Sequence, residues 1–339
     1  GTASTDTVTY LICRKWLNTS EIIRYHGYPS EEYQVTTEDG YILGVFRIPA
    51  GRNSQNTGKK PAVLLHHGTL GDSIHWISNL PNNSLGFILA DAGYDVWLGN
   101  SRGDTWSLKH KTLKPCQKEF WQFSFDEIGK YDIPAELYFI MNKTGQKDVY
   151  YVGHSEASTA GFIAFSTYPE LAQRVKVFFA LGPAATITYA TSPLVTLTRL
   201  PQSLIRVFLH SFILSQHWIA AFITLLLSLQ SRTDMYVGHF PAGTSVQNAI
   251  HCIHSGLLLF LQSTPPAYKI EKIGTPIAVW SGGQDKFADP KDMAKLLPRI
   301  PNLIYHEHFP AWGHLSFIWG LDATEKMYRK IIELMTKHP

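Results

Sequence analysis

Tyr150-Tyr151-Val152-Gly153-His154-Ser155-Glu156-Ala157 is the stretch whose reading decides the fold. A β-rich run breaks at a glycine, presents a serine and passes into small residues, the pattern of a strand turning sharply into a helix with the serine at the corner. Such a turn lifts Oγ above the end of a sheet and points the next backbone N–H at the same spot. Small residues flank the serine because a Cβ there meets the neighbouring strand or helix. Gly153 meets that need, but Ala157 stands where G-x-S-x-G has its second glycine, so the pattern is G-H-S-E-A. A structural serine and a nucleophile both satisfy this stretch, and only partners elsewhere in the chain separate them.

A serine nucleophile on such a turn takes its partners in the chain order Ser, acid, His. Thr275-Pro276-Ile277-Ala278-Val279-Trp280 reads as a buried strand, and Ser281-Gly282-Gly283-Gln284-Asp285 places a carboxylate just past its end. Asp285 is the expected acid. Asp289-Pro290 reads as a helix cap, and Asp292 lies within the helix that follows. Leu303-Ile304-Tyr305-His306 reads as the last strand, and Phe309-Pro310-Ala311-Trp312-Gly313-His314 as a loop before a final helix. His314 is the expected base, while His306 and His308 read as strand residues. Asp285 follows Ser155 by 130 residues and His314 follows Asp285 by 29, so there is room for an insertion between nucleophile and acid.

A developing negative oxygen needs preorganised N–H donors. Ala62-Val63-Leu64-Leu65-His66 is a hydrophobic strand ending in His67-Gly68-Thr69-Leu70-Gly71, and the N–H groups of Thr69 and Glu156 are the expected oxyanion pair. His67-Gly68 alone is also an ordinary turn. Four parts in order on matching strand ends favour the catalytic reading.

The chain resembles the acid lipase family that includes gastric and lysosomal acid lipases. The resemblance is carried by Asn18 to Ile23, Gly27-Tyr28-Pro29, Thr37 to Leu43, Trp76 to Ser84, Gly99-Asn100-Ser101-Arg102-Gly103, Phe125-Asp126-Glu127, Pro241 to Asn248 and Asp285 to Pro290. It implies an α/β-hydrolase fold, and hydrolysis of acylglycerols or cholesteryl esters at a lipid–water interface by Ser155, Asp285 and His314 through an acyl-enzyme. No cofactor or metal is implied. Secretion or a lysosome is implied by the resemblance alone, with no signal peptide in this chain.

Two departures bear on activity. The family's turn runs Gly-His-Ser-Gln-Gly, and this chain has Glu156 and Ala157 in the last two places. The Ala157 methyl is expected to overpack by about 1–3 kcal/mol unless the helix shifts. A Glu156 carboxylate roughly 5 Å from an oxyanion costs about 3 kcal/mol at an effective dielectric of about 20, less if the side chain swings into solvent. Weakened hydrolysis is therefore expected, and the rival is an impaired or inactive lipase-like lipid-binding protein. The second departure is the insertion expected over 183–269, between core segments 1–182 and 270–339. It reads as a cap shorter than the family's, and with Cys252 alone it cannot form the family's cap disulfide. Its apolar run, residues 211–229, approaches the length of a membrane span but is diluted by Gln216, His217 and hydroxyls, so a lid or acyl-pocket role is expected.

Composition agrees with one large domain. The 339 residues are 45% hydrophobic and 17% charged, enough for a substantial core. Strand and helix signals alternate after a hairpin turning at Asp39-Gly40, which argues for a largely parallel sheet of about eight strands. A net charge of +3 with no Lys/Arg run gives nucleic acid no footprint. Cys13, Cys116 and Cys252 lack metal-ligand spacing, and Asn18, Asn82 and Asn142 each begin a glycosylation sequon.

Overall fold

The computed structural model describes residues 17–52, 58–185, 189–191, 242–245, 248 and 268–339. Most of the insertion expected over 183–269, its apolar run 211–229, Cys13 and Cys252 lie outside them.

The sheet begins with an antiparallel hairpin, β1 (Glu31–Thr36) and β2 (Tyr41–Ile48). Its turn needs Gly40, whose φ of 102° is left-handed. The remaining strands are β3 (Ala62–His66), β4 (Asp95–Leu98), β5 (Lys109–His110), β6 (Val149–His154), β7 (Val175–Leu181), β8 (Ile277–Gly282) and β9 (Leu303–Phe309). Among the described residues they form one nine-stranded sheet in the order β1-β2-β4-β3-β6-β7-β8-β9, with β5 paired to β2. From β4 to β9 along that order every pairing is parallel. The ninth strand, β5, has two residues, too few to show a period in the sequence.

Parallel strands are covered on both faces and read as continuous apolar runs. In β3, β4, β6 and β8 every residue is buried. Alternate side chains feed two cores. Val63, Leu65, Val96, Leu98, Tyr150 and Val152 pack on one face with Phe87, Phe317 and Ile331. Ala62, Leu64, Trp97 and Tyr151 pack on the other with Leu137, Ile140 and Phe162. The longer helices are α1 (Thr19–Tyr25), α2 (Leu85–Asp91), α3 (Ile133–Thr144), α4 (Glu156–Thr167), α5 (Pro290–Leu296) and α6 (Arg329–Lys337). Small residues let α4 lie close on the sheet: a Cβ at Gly161 would stand 2.8 Å from the rings of Phe178 and Tyr151.

The helix expected from Phe125 to Met141 is composite. It starts at a capping box on Ser124 and Glu127, widens into a π-helical turn over Ile128–Asp132, and continues as α3 to Thr144. Pro134 supplies the reason: it has no N–H, and its ring would collide with the carbonyl four residues back in a regular helix. Among the described residues no helix is long and apolar enough to cross a membrane.

Candidate active site

Ser155 occupies the corner between β6 and α4 with φ 57° and ψ −116°. Among the described residues only Ser155 and Leu70 are non-glycine residues with positive φ. Both border this site. A side-chain-bearing residue held there costs on the order of 1–3 kcal/mol and persists only when its surroundings over-determine it. Three bonds do so: Ser155 N–H donates to the Leu181 carbonyl at 2.9 Å, Ser158 N–H to the Ser155 carbonyl at 3.0 Å, and Ser158 Oγ to the Gly153 carbonyl at 2.6 Å. A Cβ at Gly153 would lie 2.8 Å from the Ala157 and Ser158 backbone, so only glycine fits.

Ala157 is buried, and its carbonyl accepts a hydrogen bond from Tyr151 Oη at 2.8 Å.

His314 Nε2 stands 2.6 Å from Ser155 Oγ, and His314 Nδ1 stands 2.8 Å from Asp285 Oδ2. Asp285 lies just beyond β8 and His314 on the loop after β9. Two glycines let these loops touch, since a Cβ at Gly282 would strike the Trp312 carbonyl and one at Gly283 would strike Pro310. Gly283 N–H donates to Phe309 at 2.8 Å and Gln284 N–H to Trp312 at 2.9 Å, fixing both loops in register. Asp285 Oδ1 accepts the N–H groups of Phe287 and Ala288, each at 2.8 Å. Burial alone would raise the Asp285 pKa, but the His314 charge and hydrogen bond and these two amides hold it below the ordinary carboxylate value. An ionised Asp285 accepts a hydrogen bond from Nδ1–H, which leaves the unprotonated Nε2 facing the serine hydroxyl.

The other candidates stand apart. Asp289 caps α5 by accepting Lys291 N–H at 2.8 Å. Asp292 accepts Tyr189 N–H at 2.8 Å, and His306 and His308 both bond Ser281 Oγ at 3.0 Å.

The turn after β3 lies against Ser155, where a Cβ at Gly68 would stand 2.9 Å from Ser155 Cβ. Gly71 N–H donates to the Gly68 carbonyl at 3.0 Å, and His67 Nδ1 bonds the same carbonyl at 2.9 Å. Asp104 Oδ2 faces His67 Nε2 at 3.0 Å; burial works against the imidazolium, yet this carboxylate raises the His67 pKa. Thr69 and Glu156, the expected amide donors, thus come from the two segments that flank Ser155. Their side chains also meet: Thr69 Oγ1 donates to Glu156 Oε2 at 2.8 Å, and Asn248 Nδ2 donates to the same oxygen at 2.9 Å. Glu156 is buried. Its side chain does not take the solvent-facing course that would shrink its charge penalty.

His154 is a further site residue, recognised in the sequence only as the x of G-x-S-x-G. Its Nε2 donates to the His314 carbonyl at 2.9 Å, holding the loop that carries His314. Burial, reinforced by the His314 charge, pushes the His154 pKa down to about 3, so this imidazole stays neutral. Phe287 packs its ring 4.9 Å from that of His314. Among the described residues no group of three or more His, Cys, Asp or Glu could hold a metal ion. The arrangement combines a strained hydroxyl, a base within hydrogen-bond reach, a carboxylate that orients it, and two candidate amide donors, which suffices for acyl transfer.

A family described as "Partial alpha/beta-hydrolase lipase region" matches residues 19–80, and one described as "alpha/beta hydrolase fold" matches residues 61–321. The chain is 50% identical to human lysosomal acid lipase/cholesteryl ester hydrolase, covering 95% of this chain and 91% of that protein. It is 50% identical to mouse lipase member M (96% and 87% covered) and 47% identical to human gastric triacylglycerol lipase (95% and 91% covered). Solved structures with the same fold include a thermophilic esterase from Thermogutta terrifontis, with TM-score 0.58 at 16% identity, covering 91% of this chain and 100% of that one. An esterase from Exiguobacterium antarcticum gives TM-score 0.61 at 13% identity, covering 90% and 100%.

Proposed function

We propose, from the premise that this chain belongs to the acid lipase family of the α/β-hydrolase fold and is an ester hydrolase, that Ser155, His314 and Asp285 are its catalytic triad. The observation that carries the reading is the unbroken chain Asp285 Oδ2 to His314 Nδ1 at 2.8 Å and His314 Nε2 to Ser155 Oγ at 2.6 Å. In this mechanism His314 Nε2 takes the Ser155 proton as Oγ attacks the acyl carbonyl, and Asp285 holds the imidazole and stabilises the imidazolium that forms. The Thr69 and Glu156 N–H groups receive the oxyanion. Glu156 opens α4, and the first N–H groups of a helix carry no intrahelical partner and sit at the positive end of its dipole. The proton on His314 then passes to the leaving alkoxide, and water, activated by the same imidazole, releases the acid from the acyl-enzyme.

The substrates in this reading are acylglycerols or cholesteryl esters, presented at a lipid–water interface. The relatives named as triacylglycerol lipase and cholesteryl ester hydrolase support that class, and the words lysosomal and gastric in their names support a secreted or lysosomal site of action; N-linked sugar rests on the sequons. Asn82 and Asn142 of the sequons are exposed. The insertion over 183–269 serves in this reading as the acyl-pocket cap. Release of fatty acid from emulsified triolein and cholesteryl oleate by the native protein, abolished in Ser155→Ala, tests the assignment. Equal release by both proteins contradicts it, and binding of lipid without release favours the rival lipid-binding protein.

A further inference from the structure

Glu156 Oε2 is gripped from two sides: Thr69 Oγ1 donates to it at 2.8 Å and Asn248 Nδ2 at 2.9 Å. Each donor is itself anchored. Asn248 N–H donates to Ser245 Oγ at 2.7 Å, and Ser245 Oγ donates to the Phe123 carbonyl at 2.6 Å, so Asn248 is tied to the core rather than to Glu156 alone. On the other side, Leu70, next to Thr69, is held at a φ of 62° while its carbonyl accepts Ala242 N–H at 2.7 Å. Ala242 O in turn accepts Thr105 Oγ1 at 2.8 Å. One carboxylate, at the start of α4, therefore joins its own helix to the turn after β3 and to Asn248, 87 and 92 residues away in sequence.

We propose that Thr69, Glu156 and Asn248 act together as positioning residues whose shared hydrogen bonds set the separation of the Thr69 and Glu156 amides, and so the shape of the oxyanion hole, before substrate arrives. The inference rests on the reading of those two amides as the oxyanion donors. Its physical basis is that charge-assisted hydrogen bonds are short and directional, and that a displacement of about 1 Å at a catalytic group can cost about 100-fold in rate. The oxyanion role of residue 69 does not itself require a hydroxyl: the N–H of any non-proline residue there would serve as a donor. The hydroxyl matters because it ties one donor segment to the other.

The experiment compares Thr69→Val, which keeps the shape and removes the hydroxyl, with Thr69→Ser, which restores it, and adds Asn248→Ala. The readouts are kcat and KM on p-nitrophenyl butyrate, the second-order rate of inactivation by a p-nitrophenyl phosphonate, and the unfolding midpoint. The expected result for Thr69→Val and Asn248→Ala is a fall of about 10- to 100-fold in kcat and in the inactivation rate with KM within about 2-fold. Thr69→Ser should return both rates to within about 3-fold of native. A native kcat in Thr69→Val, a loss confined to KM, or a Thr69→Ser protein as slow as Thr69→Val overturns the inference. If Asn248→Ala unfolds, the Thr69 pair decides alone. A native protein that the phosphonate labels, together with an unimpaired Thr69→Val, defeats this inference only; a native protein that it leaves unlabelled defeats the hydrolase reading and this inference with it.

Discussion

Asp285→Asn isolates the electrostatic role assigned to the acid. Asp285 Oδ2 lies 2.8 Å from His314 Nδ1, and the side chain has no solvent exposure. When His314 accepts the serine proton, the new positive charge is centred about 4 Å from the carboxylate, an attraction of about 4 kcal/mol at an effective dielectric of about 20. That is about three decades of rate. Asparagine can still accept the Phe287 and Ala288 amides, but its NH2 group faces Nδ1 and drives the imidazole to the tautomer that carries its proton toward Ser155, which adds to the loss. Initial rates on p-nitrophenyl butyrate should therefore fall by about 10³- to 10⁴-fold at unchanged KM. Stability should follow a definite sign. The folded pKa of Asp285 is depressed, so its contribution is present above the unfolded value of about 3.9 and is lost as pH falls through the folded one. The unfolding midpoint of Asp285→Asn should thus lie below native at pH 6 and approach it as pH drops below about 4. A kcat within about 10-fold of native, in a background where Ser155→Ala is dead, would refute the reasoning.

Glu156→Gln keeps an acceptor for Thr69 and Asn248 and removes the charge beside the oxyanion, so kcat at pH 7 should rise, by up to about 100-fold for a term of about 3 kcal/mol; no gain in a steady-state assay eliminates the charge argument. Gly68→Ala drives a Cβ to 2.9 Å from Ser155 Cβ, and should lower kcat by about 100-fold or more with the fold retained by circular dichroism; near-native turnover would mean that the turn after β3 does not abut the nucleophile. Burial, with the neighbouring Asp104 charge, pushes the pKa of Asp72 up to about 7. The folded protein therefore keeps a proton that the unfolded chain releases near pH 4, and the stability gained is lost as pH rises from about 4 through 7, a swing of about 4 kcal/mol at most. Asp72→Asn should gain on native in unfolding midpoint from pH 5 to pH 8, and a difference independent of pH would contradict the assignment.

The parallel sheet was legible because β3, β6 and β8 are unbroken apolar runs, each ending in glycines or polar residues where a loop must leave the sheet. Ser155, Asp285 and His314 could be picked out for the same reason, since each follows a readable strand end. The side-chain contacts around Ser155 left no such mark. Thr69, Glu156 and Asn248 meet through side chains across separations of 87 and 92 residues, with no local pattern to join them. His154 looked like a spacer, yet its role depends on a carbonyl 160 residues away. Arg102 stands out in the sequence only as part of a resembling segment, although its buried guanidinium bonds both Asp39 and Asp132 and ties the β1–β2 turn to the π-helical turn before α3.

The most direct measurement is reaction of the native protein with a fluorescent alkyl phosphonate, followed by intact mass and peptide mapping. The account predicts one equivalent of label on Ser155, suppressed in His314→Ala and Asp285→Asn. Native, folded protein that stays unlabelled, or that carries the label on another serine such as Ser158 or Ser281, would contradict it.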